Sequence, residues 1–404
     1  MARLLFLGAS TSQVPAIAYV RGVGHEVIAV DGDPNAVGFR VADRGEAVDF
    51  ADVERVAALG RRSGVDGVLA ISSDRAVHPA AAVARMLGLP GIDPDVALRM
   101  TDKAAMRRRL EEQGLPQPVS MLVHRPGELG AALAAAGLPA VVKPADSGGQ
   151  RGVFRVDTAE EAAGALGEAL AVSRSGRALV ESFLDGVELN GIVVVRSGSP
   201  TVLTLSDRLR PAGAGFAVGW AHRYPSSLPR ETLDEAARVA AEAVVGLGLH
   251  DGIGFPQLIA DARSGVNVVE VAARIPAGQM ADLVRHATGI ELFDVALAFA
   301  LGQEVLDNAL APRFDRPVAI RFLTAAPGLL PLGTVRAVGG LHDVRNAPGV
   351  VDAGLYFDVG EQLRPVQVDA DRRGYIVATG RSGDDALRLA DAASTRLNVT
   401  VESS

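Results

Sequence analysis

The stretch from Leu138 to Val153, LPAVVKPADSGGQRGV, constrains the chain most, because it joins an apolar run to a loop of small residues. The apolar run predicts a strand that ends at Lys143 and Pro144, and the small residues predict an exposed loop. Backbone N–H groups in such a loop, together with one ammonium group, can surround the oxygens of a polyphosphate. We therefore expect this strand and loop to bind phosphate.

Lysine usage points to the same stretch. Of the 40 basic residues in the chain, only Lys103 and Lys143 are lysines, and one of them opens the loop. The alternative is that these are two ordinary surface lysines, one of which happens to lie beside a turn.

Composition excludes several classes of protein. A chain of 404 residues is longer than a single hydrophobic core usually supports, so we expect two to four domains. A net charge of -8 argues against a nucleic-acid partner. The absence of cysteine excludes disulfides, thiolate catalysis and Cys-ligated metals. No window approaches the roughly 20 apolar residues of a membrane span. We expect a cytoplasmic protein without a membrane or nucleic-acid partner. A homodimer is one possible oligomeric state.

Residues 1–92 predict a doubly wound α/β domain, with a strand at Arg3–Leu7 and a second strand that ends at Asp31. A dinucleotide site is a weaker interpretation, because the turn after Leu7 lacks the second and third glycines of G-x-G-x-x-G. The Ser72-Ser73-Asp74 sequence follows the third strand. These residues either bind a ligand at the carboxyl edge of the sheet or form the N-cap of the next helix.

Residues 93–314 predict the central domain. Its first helix is expected from Pro94 to about Gln113, with Lys103 on it, and a lid subdomain at about 115–185 contains the Lys143 strand. Residues 315–404 predict a small closing α+β domain with short strands and a final helix from Ser382 to Leu397. The expected fold class is α/β and α+β, in several domains.

The order of these motifs resembles the ATP-grasp ligase superfamily, over roughly residues 1–400. The match comprises Lys103 on a helix, Lys143 closing a strand, the 146–152 loop, ALVESFLDGVEL and VVEVAAR. The resemblance implies an N-terminal pre-ATP-grasp domain, a two-part ATP-grasp fold and ATP with Mg²⁺ as cofactors. It also implies that Lys103 and Lys143 hold the phosphates of ATP. The other expected nucleotide contacts are the loop residues Ser147, Gly148, Gly149 and Gly152, then Glu181 with the backbone of Ser182, Phe183 and Leu184 at adenine, and Glu188 at the ribose.

The E-x-A-A-R string from Glu270 to Arg274 resembles the L-amino-acid ligase (carboxylate–amine ligase) branch. Strand alternation places Glu270 and Arg274 on one face, towards Gln257. By the resemblance, Glu270 and Gln257 would hold Mg²⁺, and Arg274 with Lys143 would act on the transferred phosphoryl group and the substrate carboxylate. Two positions depart from the superfamily, which usually has Glu at 257 and Asn at 272 rather than Gln and Ala. A structural Glu270–Arg274 ion pair is the alternative.

Two further segments are candidates for binding the substrate. Asp207, Arg208, His222 and Arg223 could give opposite charges to the two ends of an amino acid if they face a cleft. The alternative is a plain hairpin whose mobile tip holds Gly213 and Gly215. Gly278 lies in a turn before a helix, where free N–H groups could hold a carboxylate or an oxyanion.

These observations predict an ATP-dependent, ADP-forming ligase that joins a small carboxylic acid, such as an amino acid, to an amine through an acylphosphate. A bicarbonate-activating carboxylase or a purine-type ligase would use the same fold. A nucleotide-binding module with little turnover is a third hypothesis, prompted by Gln257 and Ala272. A dehydrogenase is the most distant alternative.

Overall fold

The structure is a computed structural model, and it describes residues 1–210 and 218–402. Gly213 and Gly215 of the predicted hairpin tip lie outside the described residues. Across the described part of the chain, no helix combines the length and apolar character needed to cross a membrane. The described strands form four sheets of mixed α/β and α+β character, as the sequence predicts.

The N-terminal segment is a parallel four-stranded sheet in the order β3-β2-β1-β4. Its apolar strands are buried on both faces by helices, which is usual for parallel sheets. The Asp31 carboxylate accepts the Ala9 N–H at 2.8 Å and so closes the first turn. The elements are β1 (Arg3–Leu7), α1 (Val14–Gly22), β2 (Glu26–Asp31), β3 (Arg44–Ala47), α2 (Val53–Ser63), β4 (Gly67–Leu69) and α3 (Asp74–Leu87).

The single helix predicted from Pro94 to Gln113 is wrong, because the chain forms α4 (Pro94–Arg99) and α5 (Lys103–Glu112). Asp102 separates them: its side chain accepts the Ala105 N–H and caps α5. Lys103 is therefore the first residue of a helix instead of a mid-helix residue.

Residues 120–182 form a separate antiparallel sheet in the order β5-β8-β6-β7, with two helices packed on it. The Lys143 strand is β6, and it pairs with the Glu181 strand, β8. The elements are β5 (Ser120–Val123), α6 (Leu129–Ala136), β6 (Ala140–Pro144), β7 (Phe154–Val156), α7 (Ala159–Val172) and β8 (Ala178–Ser182).

The largest sheet has eight strands in the order β13-β12-β9-β10-β11-β14-β18-β16. It runs across the predicted boundary at 314/315, so the C-terminal segment shares a sheet with the central one. The division into 1–92, 93–314 and 315–404 stays a prediction. The central elements are β9 (Gly186–Arg196), β10 (Ser199–Leu209), β11 (Ala221–Tyr224), α8 (Arg230–Gly246), β12 (Gly252–Asp261), β13 (Gly265–Ala272), α9 (Met280–Thr288), α10 (Leu292–Ala300) and α11 (Asp307–Leu310).

The C-terminal segment also contains a small three-stranded sheet in the order β17-β15-β19. The final helix ends at Ser394, earlier than predicted, and residues 398–402 form an edge strand that the sequence analysis missed. The elements are β14 (Val318–Leu323), β15 (Gly333–Gly339), α12 (Leu341–Arg345), β16 (Val350–Leu355), β17 (Gln362–Leu363), β18 (Gly374–Thr379), α13 (Gly383–Ser394) and β19 (Asn398–Glu402).

The two faces of the eight-stranded sheet have different partners. On the first face, Ile192, Phe255 and Ala272 pack with the N-terminal segment, α9 and α10. On the second face, Val193 and Leu258 pack with α8. Because side chains alternate along a strand, neighbouring residues pack against these two different groups, and Val77 and Ala81 of α3 also belong to the second one.

We expect Gly67→Ala to destabilise the contact between β4 and α10. A Cβ at Gly67 would lie 2.7 Å from the Ala300 carbonyl oxygen, so the backbone must shift, at a cost of about 1–3 kcal/mol. Calorimetry should show a lower melting temperature. Gly164→Ala on α7 is the control, because a Cβ there meets nothing within 4 Å. Equal melting temperatures for Gly67→Ala and the wild type would contradict this packing.

Candidate active site

The two lysines of the chain lie close together. The backbone N–H of Lys103, at the start of α5, donates to the backbone carbonyl of Ala145, just after β6, at 2.8 Å. Both lysine residues are buried, at 5% and 4% exposure. Two residues 40 positions apart in the sequence thus place their ammonium groups in one region.

Lys143 forms a buried ion pair with Glu181, with Nζ to Oε2 at 2.6 Å. Arg107 contacts the same carboxylate, with Nε to Oε1 at 2.7 Å. Burial raises the pKa of Glu181, but the charges of Arg107 and Lys143 outweigh burial and lower the pKa to about 2. Burial lowers the pKa of Lys143 to about 8 despite Glu181, and Arg107 and Lys103 add to that effect. Two buried cations thus share one carboxylate as their counter-ion.

This cluster changes what can be expected of Glu181. Its carboxylate was predicted to help read adenine, yet both of its oxygens are held by Arg107 and Lys143. The next two N–H groups are also engaged: Ser182 N donates to Val119 O, and Phe183 N to Pro139 O. Sequence analysis missed Arg107. The available signal was its position four residues after Lys103, on the same helix face.

Lys103 contacts the predicted metal ligand and the predicted phosphate loop. Its Nζ lies 2.8 Å from Glu270 Oε1 and 2.9 Å from the Ser147 carbonyl oxygen. Glu270 is the direct cross-strand neighbour of Gln257, as the alternation of the strands predicts. The structural alternative, a Glu270–Arg274 ion pair, is not among the ion pairs of the described residues.

Arg274 instead contacts the N-terminal segment. Its Nε and Nη2 lie 2.7 and 2.6 Å from Asp74 Oδ1. Ser73 stands at the N-cap of α3, but its side chain makes no capping bond. Ser73 thus occupies the N-cap position without a side-chain cap, and Asp74 pairs with Arg274; ligand binding at this edge stays a prediction.

The 146–152 loop lies against Asp74 and against the C-terminal segment. A Cβ at Gly148 would lie 2.8 Å from Asp74 Oδ2, so glycine permits this approach. The Asp369 N–H donates to the Gly149 carbonyl at 3.4 Å. Gly149 and Gly152 have φ values of +69° and +70°, which favour glycine.

The predicted group of Asp207, Arg208, His222 and Arg223 does not face one cleft. Asp207 and Arg223 pair with each other at 2.5 Å, and Arg223 also pairs with Asp384 at the start of α13. Cross-strand register puts Arg208 and His222 on the opposite face. The prediction that all four face one cleft is therefore wrong, because alternation puts Asp207 and Arg223 on one face and Arg208 and His222 on the other.

Arg208 and His222 belong to a second polar cluster on the first face of the sheet. Arg208 Nη1 lies 2.8 Å from Glu188, the predicted ribose ligand, and its Nη2 lies 3.3 Å from Asp369. The pKa of His222 is well below its ordinary value because of burial and the charges of Arg372 and Arg208. His222 is therefore neutral.

Asp369 and Arg372 complete the second cluster, and sequence analysis missed both. Arg372 lies 2.6 Å from Asp369 and 4.1 Å above the Phe322 ring. A Cβ at Gly278 would lie 3.2 Å from that ring and 3.5 Å from Arg372 Nη1, so Gly278 borders the cluster. No sequence signal linked Asp369 and Arg372 to Arg208 and His222, which lie more than 140 positions earlier in the chain.

Among the described residues, no group of three His, Cys, Asp or Glu side chains is arranged to hold a metal ion. Glu270 and Gln257 supply one carboxylate and one amide oxygen on neighbouring strands. This is the kind of donor set that binds Mg²⁺ through one or two protein oxygens, with the rest supplied by substrate phosphates.

Two family models match the chain. Residues 321–402 match the L-amino acid ligase C-terminal domain 2, and residues 110–227 match the D-ala D-ala ligase C-terminus. The first match covers the segment with Asp369 and Arg372, and the second covers Lys143, Glu181 and Glu188.

The chain is similar to curated proteins and to solved structures. The chain is 26% identical to a phosphoribosylamine–glycine ligase from Leifsonia xyli, over 98% of this chain and 97% of that protein. It is 31% identical to a formate-dependent phosphoribosylglycinamide formyltransferase from Paraburkholderia xenovorans, over 61% of this chain and 64% of that protein. The latter match thus spans less than two thirds of the relative. The crystal structure of L-amino acid ligase from Bacillus licheniformis superposes with a TM-score of 0.83, at 22% identity, and covers 100% of this chain and 99% of the other.

The chain has the fold of the ATP-grasp ligases, and two of its segments match domain models of such ligases, so the resemblance found in the sequence is confirmed. Residues 321–402 match the L-amino acid ligase C-terminal domain 2, and the similar proteins also include purine-biosynthesis enzymes.

We expect Glu181→Gln to lower the free energy of unfolding by about 3–5 kcal/mol at pH 7, because Arg107 and Lys143 would lose their shared counter-ion. Urea denaturation measures this loss. Glu112→Gln, which alters an exposed ion pair, should cost less than about 1 kcal/mol.

The same variant should change the acid limb of stability. The folded pKa of Glu181, about 2, lies below its unfolded value of 4.5, so its contribution is fully present above about pH 4.5. That contribution is lost as the pH falls from about 4.5 to about 2. The free energy of unfolding of the wild type should fall more over this interval than that of Glu181→Gln. Parallel plots of this free energy against pH would contradict the buried ion pair.

Proposed function

We propose that the chain is an ATP-dependent, ADP-forming ligase that joins an amino acid, or a similar carboxylic acid, to an amine. The observation that carries the proposal is that Lys103, Lys143, Glu270 and Arg274, from three separate parts of the sequence, lie around one loop. Lys103 contacts the Ser147 carbonyl and Glu270, and Arg274 pairs with Asp74, which borders Gly148. Phosphoryl transfer needs positioned charge more than covalent chemistry, and this group supplies it.

The phosphates of ATP would lie between the two lysines and the 146–152 loop, beside Ser147, Gly148, Gly149 and Gly152. Lys103 bridges the loop and Glu270, so a phosphate there meets an ammonium group already held in place. Glu188 would take the ribose. The backbone of Ser182, Phe183 and Leu184 would take the adenine through groups other than the Ser182 and Phe183 N–H, which are already engaged. In this proposal the Glu181 carboxylate positions Lys143 and Arg107 instead of touching the base.

Glu270 and Gln257 would hold Mg²⁺ together with the phosphates. The bound ion would neutralise phosphate charge during transfer. Because Gln257 replaces the usual Glu, the protein contributes one negative charge fewer, and we expect metal affinity to depend strongly on the nucleotide.

The chemistry would run in two steps. A carboxylate oxygen of the acid attacks the γ-phosphorus, the bond to the β–γ bridging oxygen breaks, and ADP leaves. The amine nitrogen then attacks the acyl carbon, the C–O bond to phosphate breaks, and the nitrogen loses a proton. Arg274 would bridge the transferred phosphoryl group and the acid, and the loop would exclude water from the acylphosphate.

A purine-type ligase is the second candidate. It is favoured by the similarity to phosphoribosylamine–glycine ligase and to the formate-dependent formyltransferase. The match of residues 321–402 to the L-amino acid ligase domain favours the first candidate. The two differ in the molecule that accepts the activated acyl group.

We expect Lys143→Met to lower kcat/KM for ATP on the order of 100-fold, because the variant removes a cation aimed at the phosphates. ADP release in the presence of an acid and an amine is the measurement. Lys143→Arg should recover part of the activity. Arg125→Ala, at an exposed lid position, should behave as the wild type does. Unimpaired ATP use by Lys143→Met would contradict the proposal.

Pairs of amino acids should stimulate ADP release above the rate seen with either acid or amine withheld. Phosphoribosylglycinamide with formate, and labelled bicarbonate, are the parallel assays for the purine-type and carboxylase alternatives. If ATP binds but no acid or amine stimulates ADP release, the result would favour the nucleotide-binding module with little turnover.

A further inference from the structure

A cavity of about 880 Å³ lies between the N-terminal segment and the eight-stranded sheet. One wall is the α3 face with Ala80, Ala81 and Ala84, and the facing wall carries Ile253, Ala296 and Phe299. Ligand pockets in proteins range from about 300 to 1,000 Å³ and are mostly apolar, with a few polar groups. The cavity has the size and the lining of such a pocket.

Arg274 lines this cavity and also contacts the proposed phosphate site. Its side chain is 90% buried, and Nε and Nη2 are held by Asp74, whose Oδ2 borders Gly148 of the loop. Its Nη1 is buried without a hydrogen-bond partner. A buried guanidinium donor without a partner is energetically unfavourable, so this nitrogen is the donor that an anion bound at Arg274 would satisfy.

The position of the cavity relative to the loop fixes how a ligand would lie. Asp74 begins α3, and Ala80, Ala81 and Ala84 follow along the same helix, so the cavity extends from Arg274 away from the loop. A carboxylate at Arg274 would stand beside the phosphate loop, while the rest of the molecule entered the cavity. Charged residues such as Asp251 and Glu304 line another part of it.

We propose that this cavity binds the side chain of the acid substrate, and that the enzyme selects acids with a bulky, mainly apolar side chain. The inference rests on the proposed ligase function and extends it, because it assigns one substrate class to one place in the fold. Small residues on α3 and at Ala296 provide the room, and Arg274 holds the carboxylate at the inner end.

The test uses hydroxylamine as the amine, so that only the acid varies, with glycine, L-leucine and L-phenylalanine as acids. Each buried methylene is worth about fourfold in binding, so kcat/KM should rise from glycine to phenylalanine. Ala296→Phe fills the cavity and should lower kcat/KM for phenylalanine about tenfold or more, mainly through KM, and leave glycine nearly unchanged.

Ala298→Phe is the matched control, because Ala298 lies on the same helix but does not line the cavity. An equal effect of both variants on phenylalanine would overturn the inference, and so would a wild type that prefers glycine.

A second measurement does not need turnover. Crystals of the full chain with MgADP, soaked in 4-bromo-L-phenylalanine, should give an anomalous bromine peak between Ala81 and Ala296, with the carboxylate at Arg274. A bromine site elsewhere, or none, would overturn the inference. If no acid promotes ADP release but the bromine peak appears, then the proposed function fails and the binding site stands.

Discussion

The rest of the site depends on one buried carboxylate. Glu181 lies between Arg107 on α5 and Lys143 on β6, and Arg107 also donates to the Val268 and Val269 carbonyls of β13. The helix that begins with Lys103, the lid sheet and the strand that carries Glu270 are thereby fixed to each other. Because two cations share one anion in a dry environment, neither the helix nor the strand can move away without exposing an unbalanced charge.

Sequence patterns predicted the parts of this arrangement that are local. The apolar run before Lys143, the turn after it and the alternation that pairs Gln257 with Glu270 all depend on neighbours within a few residues. The break before Lys103 was missed, because the Asp102 cap was read as part of a continuous helix. The small sheet formed by β15, β17 and β19 was missed for a different reason: its partners are distant in the chain.

On the substrate side of the site, too, local sequence patterns could not indicate contacts between distant parts of the chain. Asp207 and Arg208 are adjacent in sequence, yet strand alternation sends one to the α13 side and the other to the polar cluster with Asp369. Asp74 was correctly noticed at a sheet edge, but only the packing of the N-terminal segment on the central one brings it to Arg274. The cavity beside Arg274 exists between two segments, so no local pattern could have indicated it.

The central claim is that Lys103 and Lys143 hold one polyphosphate. A crystal structure with Mg²⁺ and a non-hydrolysable ATP analogue tests it most directly. The account predicts both lysine nitrogens within about 3.2 Å of phosphate oxygens of the same nucleotide, with Glu270 near the metal. A nucleotide bound elsewhere, with Lys103 still on Glu270 and neither lysine in contact with phosphate, would contradict it.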